Sequence, residues 1–259
     1  MQKVFSHSSL SSYENCPKKY HYRYVEKRPA DSESVEGFLG KRVHEILERL
    51  YQFVGEGRVP SLERVLHRFH ANWDTQWNED RIRIVRSEMK PDFYRRLGVR
   101  CIENHYRRHY PFDAEKTEGI EKKIQFRLDP AGQYEVRGVI DRLARARDGA
   151  LEIHDYKTGQ RVPRQEQLDR DRQLALYELG LRERLGETGE IRLVWLYLLS
   201  NQIRVSRRSP EQLEELREST KASIDCIRTE TEWEPRTSPL CGWCEYRDVC
   251  PAQAQTPPQ

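Results

Sequence analysis

Long hydrophobic runs are missing from this 259-residue chain. The longest, Leu193 to Leu199, is far short of the ~20 apolar residues that a bilayer-spanning helix needs, and the mean hydropathy is −0.92. A membrane span is thereby excluded. The opening residues Met1 to His7 lack the apolar stretch of a secretory leader, so the expected location is the cytoplasm. Net charge is also scarce: 45 Lys and Arg face 42 Asp and Glu, leaving +3, which is too little for a uniformly polyanion-seeking surface. No G-x-x-x-x-G-K-[ST] loop occurs, because Gly40-Lys41 lacks both the upstream glycine and the hydroxyl. That removes a nucleotide-driven motor.

Aromatic residues, by contrast, make up 10% of the chain, including 5 Trp and 13 Tyr, enough for a packed core and against disorder. Charge is unevenly spread. Between Arg81 and His109 nine cations meet three acids, so that window holds +6 and the remainder −3. Lys18, Lys19, Tyr20, Tyr22, Arg23 and Tyr24 repeat the theme of cations interleaved with aromatics, and Arg95 and Arg96 stand at the centre of the basic window. Such stretches suit a nucleic-acid backbone and its bases. A solvated helix face explains either stretch equally well.

Periodicity organises the rest. Leu10, Tyr13 and Tyr20 fall at helical intervals, and Val43, Ile46, Leu47, Leu50, Tyr51 and Val54 make a clear 3.6-residue stripe. Leu62 to Cys101 reads as largely helical, broken at Pro91. From Glu121 the period is two, through Ile124, Phe126 and Leu128, then Val136 to Ile140, then Leu151, Ile153 and Asp155. Gln167 to Leu185 returns to helix, Leu193 to Leu199 reads as a buried central strand, and Ser209, Pro210 and Gln212 open a capped helix. The expected fold class is α/β, a central mixed sheet flanked by helices in one domain over 1–259. Within it, 1–60 hold N-terminal helices, 61–118 a basic helical insertion, 119–205 the central sheet and its helix, 206–250 a final helix with cysteines, and 251–259 a loose tail.

The stretch from Val136 to Gly159 carries the chemistry. Asp148-Gly149 is a hairpin signal, and positions 141 and 155 are symmetric about 148. An odd-length loop therefore sets Asp141 opposite Asp155, with side chains ~5 Å apart, whereas a two-residue turn opposes Asp141 to Tyr156 and sends it to the other face. Period two also puts Asp155 and Lys157 side by side on one strand face. Two converging carboxylates repel unless a cation neutralises them, and oxygen ligands select a hard ion such as Mg²⁺ or Mn²⁺. A hairpin ending in solvated acids with a lysine salt bridge is the plainer alternative.

Gly138-Val-Ile-Asp141, Asp155-Tyr-Lys157-Thr-Gly159 and Gln173-Leu-Ala-Leu-Tyr177 resemble motifs of RecB-type nucleases in the PD-(D/E)XK superfamily. Gly40-Lys-Arg-Val-His44 resembles that family's first, histidine-bearing helix. The resemblance implies a restriction-endonuclease-like core in which His44, Asp141 and Asp155 hold the metal, with the Tyr156 carbonyl a further ligand. It also implies that Lys157 orients or activates water, while Gln173 and Tyr177 brace Lys157 and the DNA phosphate. Asp155 departs from the glutamate of many members, shortening the reach without losing the charge. Glu121 is a weaker candidate, equally explained as an ordinary strand-end acid.

Cys241-Gly-Trp-Cys244 and Cys250 present three soft ligands within ten residues. Cys16, in Asn15-Cys16-Pro17, resembles the N-terminal cysteine of iron–sulfur members such as AddB-type nuclease domains and CRISPR-associated exonucleases. Four thiolates suit either Zn²⁺ or a [4Fe–4S] cluster, and the resemblance implies the cluster. Joining Cys16 to Cys241 closes a loop worth about 5 kcal/mol by chain entropy, so the group reads as a clasp. Cys101 and Cys226 read as buried structural thiols.

Together these readings give a Mg²⁺- or Mn²⁺-dependent DNA nuclease, an exonuclease or end-processing enzyme on single-stranded or frayed DNA, in repair, recombination or CRISPR adaptation. A helicase or CRISPR integrase is the implied partner. The alternatives are an inactive DNA-binding scaffold and a zinc-stabilised RNA-processing nuclease.

Overall fold

A computed structural model describes residues 4–252. Strand β1 (Val4–Phe5) leads into α1 (His7–Asn15), α2 (Pro17–Tyr20) and a π-helical turn over His21–Val25. Next come β2 (Glu33–Ser34), α3 (Val35–Gly55), α4 (Leu62–Gln76), β3 (Ile82–Arg83) and α5 (Pro91–His109). The strands β4 (Glu115–Arg127), β5 (Glu135–Ala146) and β6 (Leu151–Lys157) follow, then α6 (Gln165–Leu168) and α7 (Arg172–Leu185). Strands β7 (Ile191–Tyr197) and β8 (Gln202–Ser206) precede α8 (Pro210–Thr229). Two 3₁₀ turns, Pro239–Trp243 and Arg247–Val249, close the described chain.

The main sheet is mixed. β5 pairs antiparallel with β4 along one edge, and its other edge is shared by β1 near Val136 and β6 near Leu143. β6 then runs parallel to β7, which pairs antiparallel with β8. Helices cover both faces, and the side chains of β7 divide by parity. Ile191, Leu193, Trp195 and Tyr197 join a core with residues of α1, α7 and α8. Val194, Leu196 and Leu198 join a second core under α3, α4 and α5. Each fully buried aliphatic in these layers contributes about 1.5–3 kcal/mol, which is why the apolar run in this strand had to be continuous.

Local chemistry explains the helix boundaries. The Ser34 hydroxyl caps α3 by accepting from the Gly37 amide at 3.2 Å, and the stripe Val35, Phe38, Leu39, Val43, Ile46, Leu47, Leu50 faces the second core. Ser209 and Gln212 form the expected capping box on α8. Between residues 62 and 101 the helix is not continuous. α4 stops at Gln76, residues 77–90 are irregular except for β3, and Pro91 starts α5 rather than breaking a helix, its missing N–H being no loss in a first turn. The helix expected from Gln167 is likewise two pieces, the longer one capped by Asp171 accepting from the Gln173 amide at 2.9 Å.

The β5–β6 hairpin has the odd loop. Ala146 donates to the Ala150 carbonyl at 2.9 Å across the loop residues 147–149, and Gly149 takes φ +89°, a left-handed position that glycine fills without strain. The resulting register pairs Arg142 with His154 and carries Asp141 level with Asp155.

Candidate active site

Three acidic side chains stand level across three adjacent strands. The pairs Ile120–Arg142 and Lys122–Ile140 place Glu121 across from Asp141 on one side, and Asp155 lies across from it on the other. At this level β4 and the central strand β5 both reverse their faces. Ile124 and Phe126 pack in the core beneath α7, whereas Ile120 packs on the α3 side. Ile140 lies in the α7 core, whereas Arg142 stacks over the Tyr51 ring of α3 at 4.2 Å. The reversal at β4 is made by Glu121 itself, at φ +45°. A non-glycine residue there costs about 1–3 kcal/mol, and such strain is concentrated at functional sites.

His44 reaches this point from α3. Its Nε2–H donates to the Tyr156 carbonyl at 2.9 Å, which turns Nδ1 toward Asp141 Oδ2, 3.5 Å away. Donor atoms of His44, Glu121 and Asp141 all lie within 4.8 Å of one another. Burial acts to lower the His44 pKa, but the hydrogen bond and charge of Asp141, the charge of Asp155 and the Tyr156 carbonyl override it and push the group up to about 9. Burial and the Asp141 charge raise Glu121. These are the strains of a donor set crowded with negative charge, and a hard dication relieves them. One expectation changes here. Glu121, weakly favoured and misplaced at a strand start, is mid-strand and inside the group. The Tyr156 carbonyl, expected as a further ligand, accepts from the imidazole and so also orients His44.

Asp155 stands beside this group with a different set of partners. Its Oδ2 pairs with Lys157 Nζ at 2.7 Å and its Oδ1 accepts from Gln173 Nε2 at 2.9 Å. Gln173 Oε1 in turn accepts from Lys157 Nζ at 2.9 Å, closing a three-residue ring of polar contacts. Asp155 is 4% exposed, and burial together with repulsion from Asp141 outweighs Lys157 to push its carboxyl up to about 6. Burial opposes charge on Lys157, yet Asp155 wins and holds the ammonium above its usual range. Tyr177, one turn after Gln173 on α7, is buried against β5, where a Cβ at Gly138 would fall 2.2 Å from its ring.

A family profile of the PD-(D/E)XK nuclease superfamily matches residues 4–251. The chain belongs to the PD-(D/E)XK nuclease superfamily. Among solved structures, a candidate exonuclease from Eubacterium rectale matches at TM-score 0.51 and 12% identity, covering 99% of this chain and 89% of that one. The protein SSO0001 matches at TM-score 0.39 and 12% identity, covering 98% and 88%. At these identities the likeness to the first is one of fold, and the second carries no argument. No curated protein matches significantly.

Nucleic acid is the substrate class of PD-(D/E)XK nucleases, so the disposition of the cations matters. Several expected contacts are otherwise engaged. Tyr20 is 1% exposed and stacks on Trp233, so its face is closed to a base. Lys19 pairs with Glu245 at 2.8 Å, Arg95 with Asp74 at 2.9 Å, and Arg96 with Asp92. Lys18 lies over the Tyr22 ring at 5.7 Å. These cations are paired with acids that are distant in sequence or a helical turn away.

Cys16, Cys241, Cys244 and Cys250 line one cavity of about 360 Å³ between α1, α2 and the C-terminal turns. Backbone amides already point at two of the sulfurs: Arg236 N–H at Cys16 Sγ, 3.4 Å, and Ser238 N–H at Cys241 Sγ, 3.3 Å. Cys101 is buried as expected, whereas Cys226 is exposed on α8. No helix among the described residues is long and apolar enough to cross a membrane.

Proposed function

We propose that the chain is a divalent-metal-dependent deoxyribonuclease of the RecB type, trimming single-stranded or frayed DNA ends. The observation that carries this reading is the meeting of His44, Glu121 and Asp141 beside the Lys157–Asp155–Gln173 ring. The first three residues would hold Mg²⁺ or Mn²⁺, which when bound polarises a scissile phosphate and lowers the pKa of a water. The chain's own residues supply the rest. Lys157, fixed at both hydrogen bonds, presents a cation where negative charge develops on the phosphate. Gln173 keeps Asp155 and Lys157 at fixed separation, and the Tyr156 carbonyl and amide hold His44 and Asp141 in place.

We further propose that the four cysteines hold a [4Fe–4S] cluster that clasps the N-terminal helices to the C-terminal turns. Supporting this, the four cysteines line one cavity, and four thiolates are a donor set that a cluster or Zn²⁺ accepts. With no motor motif, processive action would need a helicase or a CRISPR integrase as partner.

The test is Mn²⁺-dependent cleavage of end-labelled single strands by anaerobically purified protein, with iron analysis. Asp141→Asn and Lys157→Met should each abolish cleavage while unfolding temperatures stay near wild type. A scaffold protein would behave identically in all three forms, and iron-free, colourless preparations would count against the cluster.

A further inference from the structure

A groove of about 850 Å³ lies between the C-terminal half of α3 and the start of α4, on the helix that carries His44 but lined from Ile46 onward. Arg49, Phe53, Arg58, Arg64, His67 and Arg68 line it, and among the described residues Glu63 is its one acid. Arg49 and Arg58 both gather on the Phe53 ring, at 4.6 and 4.9 Å. Only Arg58 has a carboxylate partner, Glu56; Arg49, Arg64 and Arg68 form no ion pair among the described residues. Arg64 and Arg68 are one helical turn apart on α4, where like charges repel. The basic stretch 81–109 behaves differently, since its central arginines are neutralised by Asp74 and Asp92. Uncompensated cations gathered on an aromatic face suit a phosphodiester chain, whose charges repeat along a strand and whose bases stack on rings and guanidinium planes.

We infer that this groove binds the backbone of a nucleic-acid strand away from the cleavage point. The choice of nucleic acid rests on the nuclease reading above. Nine residues separate His44 from Phe53 on α3, about 13 Å along the axis and half a turn around it. The groove therefore faces away from the active site and holds a flanking stretch of substrate, not the scissile phosphate.

The experiment uses the full chain in EDTA, with anisotropy of a fluorescein-labelled 30-nucleotide oligo-dT read across KCl concentrations. Arg64→Gln/Arg68→Gln should weaken binding about tenfold and flatten the log K against log[KCl] slope by about 1.4, at ~0.7 per lost phosphate contact. Arg96→Gln, already neutralised by Asp92, should leave slope and affinity near wild type. Unfolding temperatures of all variants are measured in parallel, and Arg49→Gln provides a second groove variant on a different helix. Slopes and affinities equal to wild type in both groove variants overturn the proposal, as does equal competition by poly-glutamate of the same length, which would mark the groove as a site for acidic protein. Mn²⁺ cleavage assays separate the two readings: groove variants that lose binding while wild type cleaves nothing would sink the nuclease reading alone.

Discussion

Arg142 donates from Nη2 to His154 Nδ1 at 2.9 Å, joining the residue after Asp141 to the residue before Asp155. A guanidinium can only donate, so His154 carries its proton on Nε2 and gives it to Glu152 Oε2 at 2.9 Å. The same guanidinium reaches Glu115 and Thr117 and stacks on Tyr51, all on the α3 side of the sheet. The cross-strand pair thus locks the register on which the acidic level depends. Arg142→Met should cost about 3 kcal/mol in denaturant unfolding, because it strands buried polar partners.

Gln173 bridges Asp155 and Lys157 with both ends of its amide. Gln173→Ala removes the bridge without opening a large cavity. Single-turnover cleavage should slow about 10- to 100-fold, and the unfolding free energy should change by less than about 1 kcal/mol.

The ring of Tyr177 lies against Gly138, leaving no room for a methyl group: the added Cβ would sit 2.2 Å from Cε1. Gly138→Ala should destabilise by about 1–3 kcal/mol. Tyr177→Leu in the same chain should return part of that loss, a coupling readable in a double-mutant cycle.

Acid should unfold the protein through its buried histidines. Burial, with help from Arg142, lowers His109 to about 4 from an ordinary 6.5, and burial with the neighbouring His109 and Arg142 holds His105 well below its ordinary value. With the folded pKa below the unfolded one, the unfolded chain binds more protons between about pH 6.5 and 4, so stability falls as pH drops through that window. For His109 alone the loss is about 3 kcal/mol. Urea titrations of His109→Gln should show a correspondingly shallower pH dependence.

The sequence made the hairpin legible because Asp148-Gly149 and the symmetry of 141 and 155 constrain one another. The helix of His44 was legible for a similar reason: the stripe from Val43 to Leu50 leaves the histidine one position off its face. Glu121 was legible only as a weaker candidate, since simple alternation contains no sign that β4 and β5 both reverse faces at that level. A positive φ at a glutamate leaves no trace in the sequence. Nor did local composition reveal which arginines are free. Arg96 meets Asp92 within its own helix, but Arg95 meets Asp74 across two helices, and Tyr20 is drawn inward by Trp233 more than two hundred residues away.

Mn²⁺ titration by calorimetry, on the wild-type chain and on Glu121→Gln and Asp141→Asn, reads the acidic level itself. One tight ion per chain is expected, weakened about tenfold or more by the glutamine and lost with the asparagine. Undiminished binding in Asp141→Asn would mean that these side chains converge on no metal, and the hydrolytic account would fail with them.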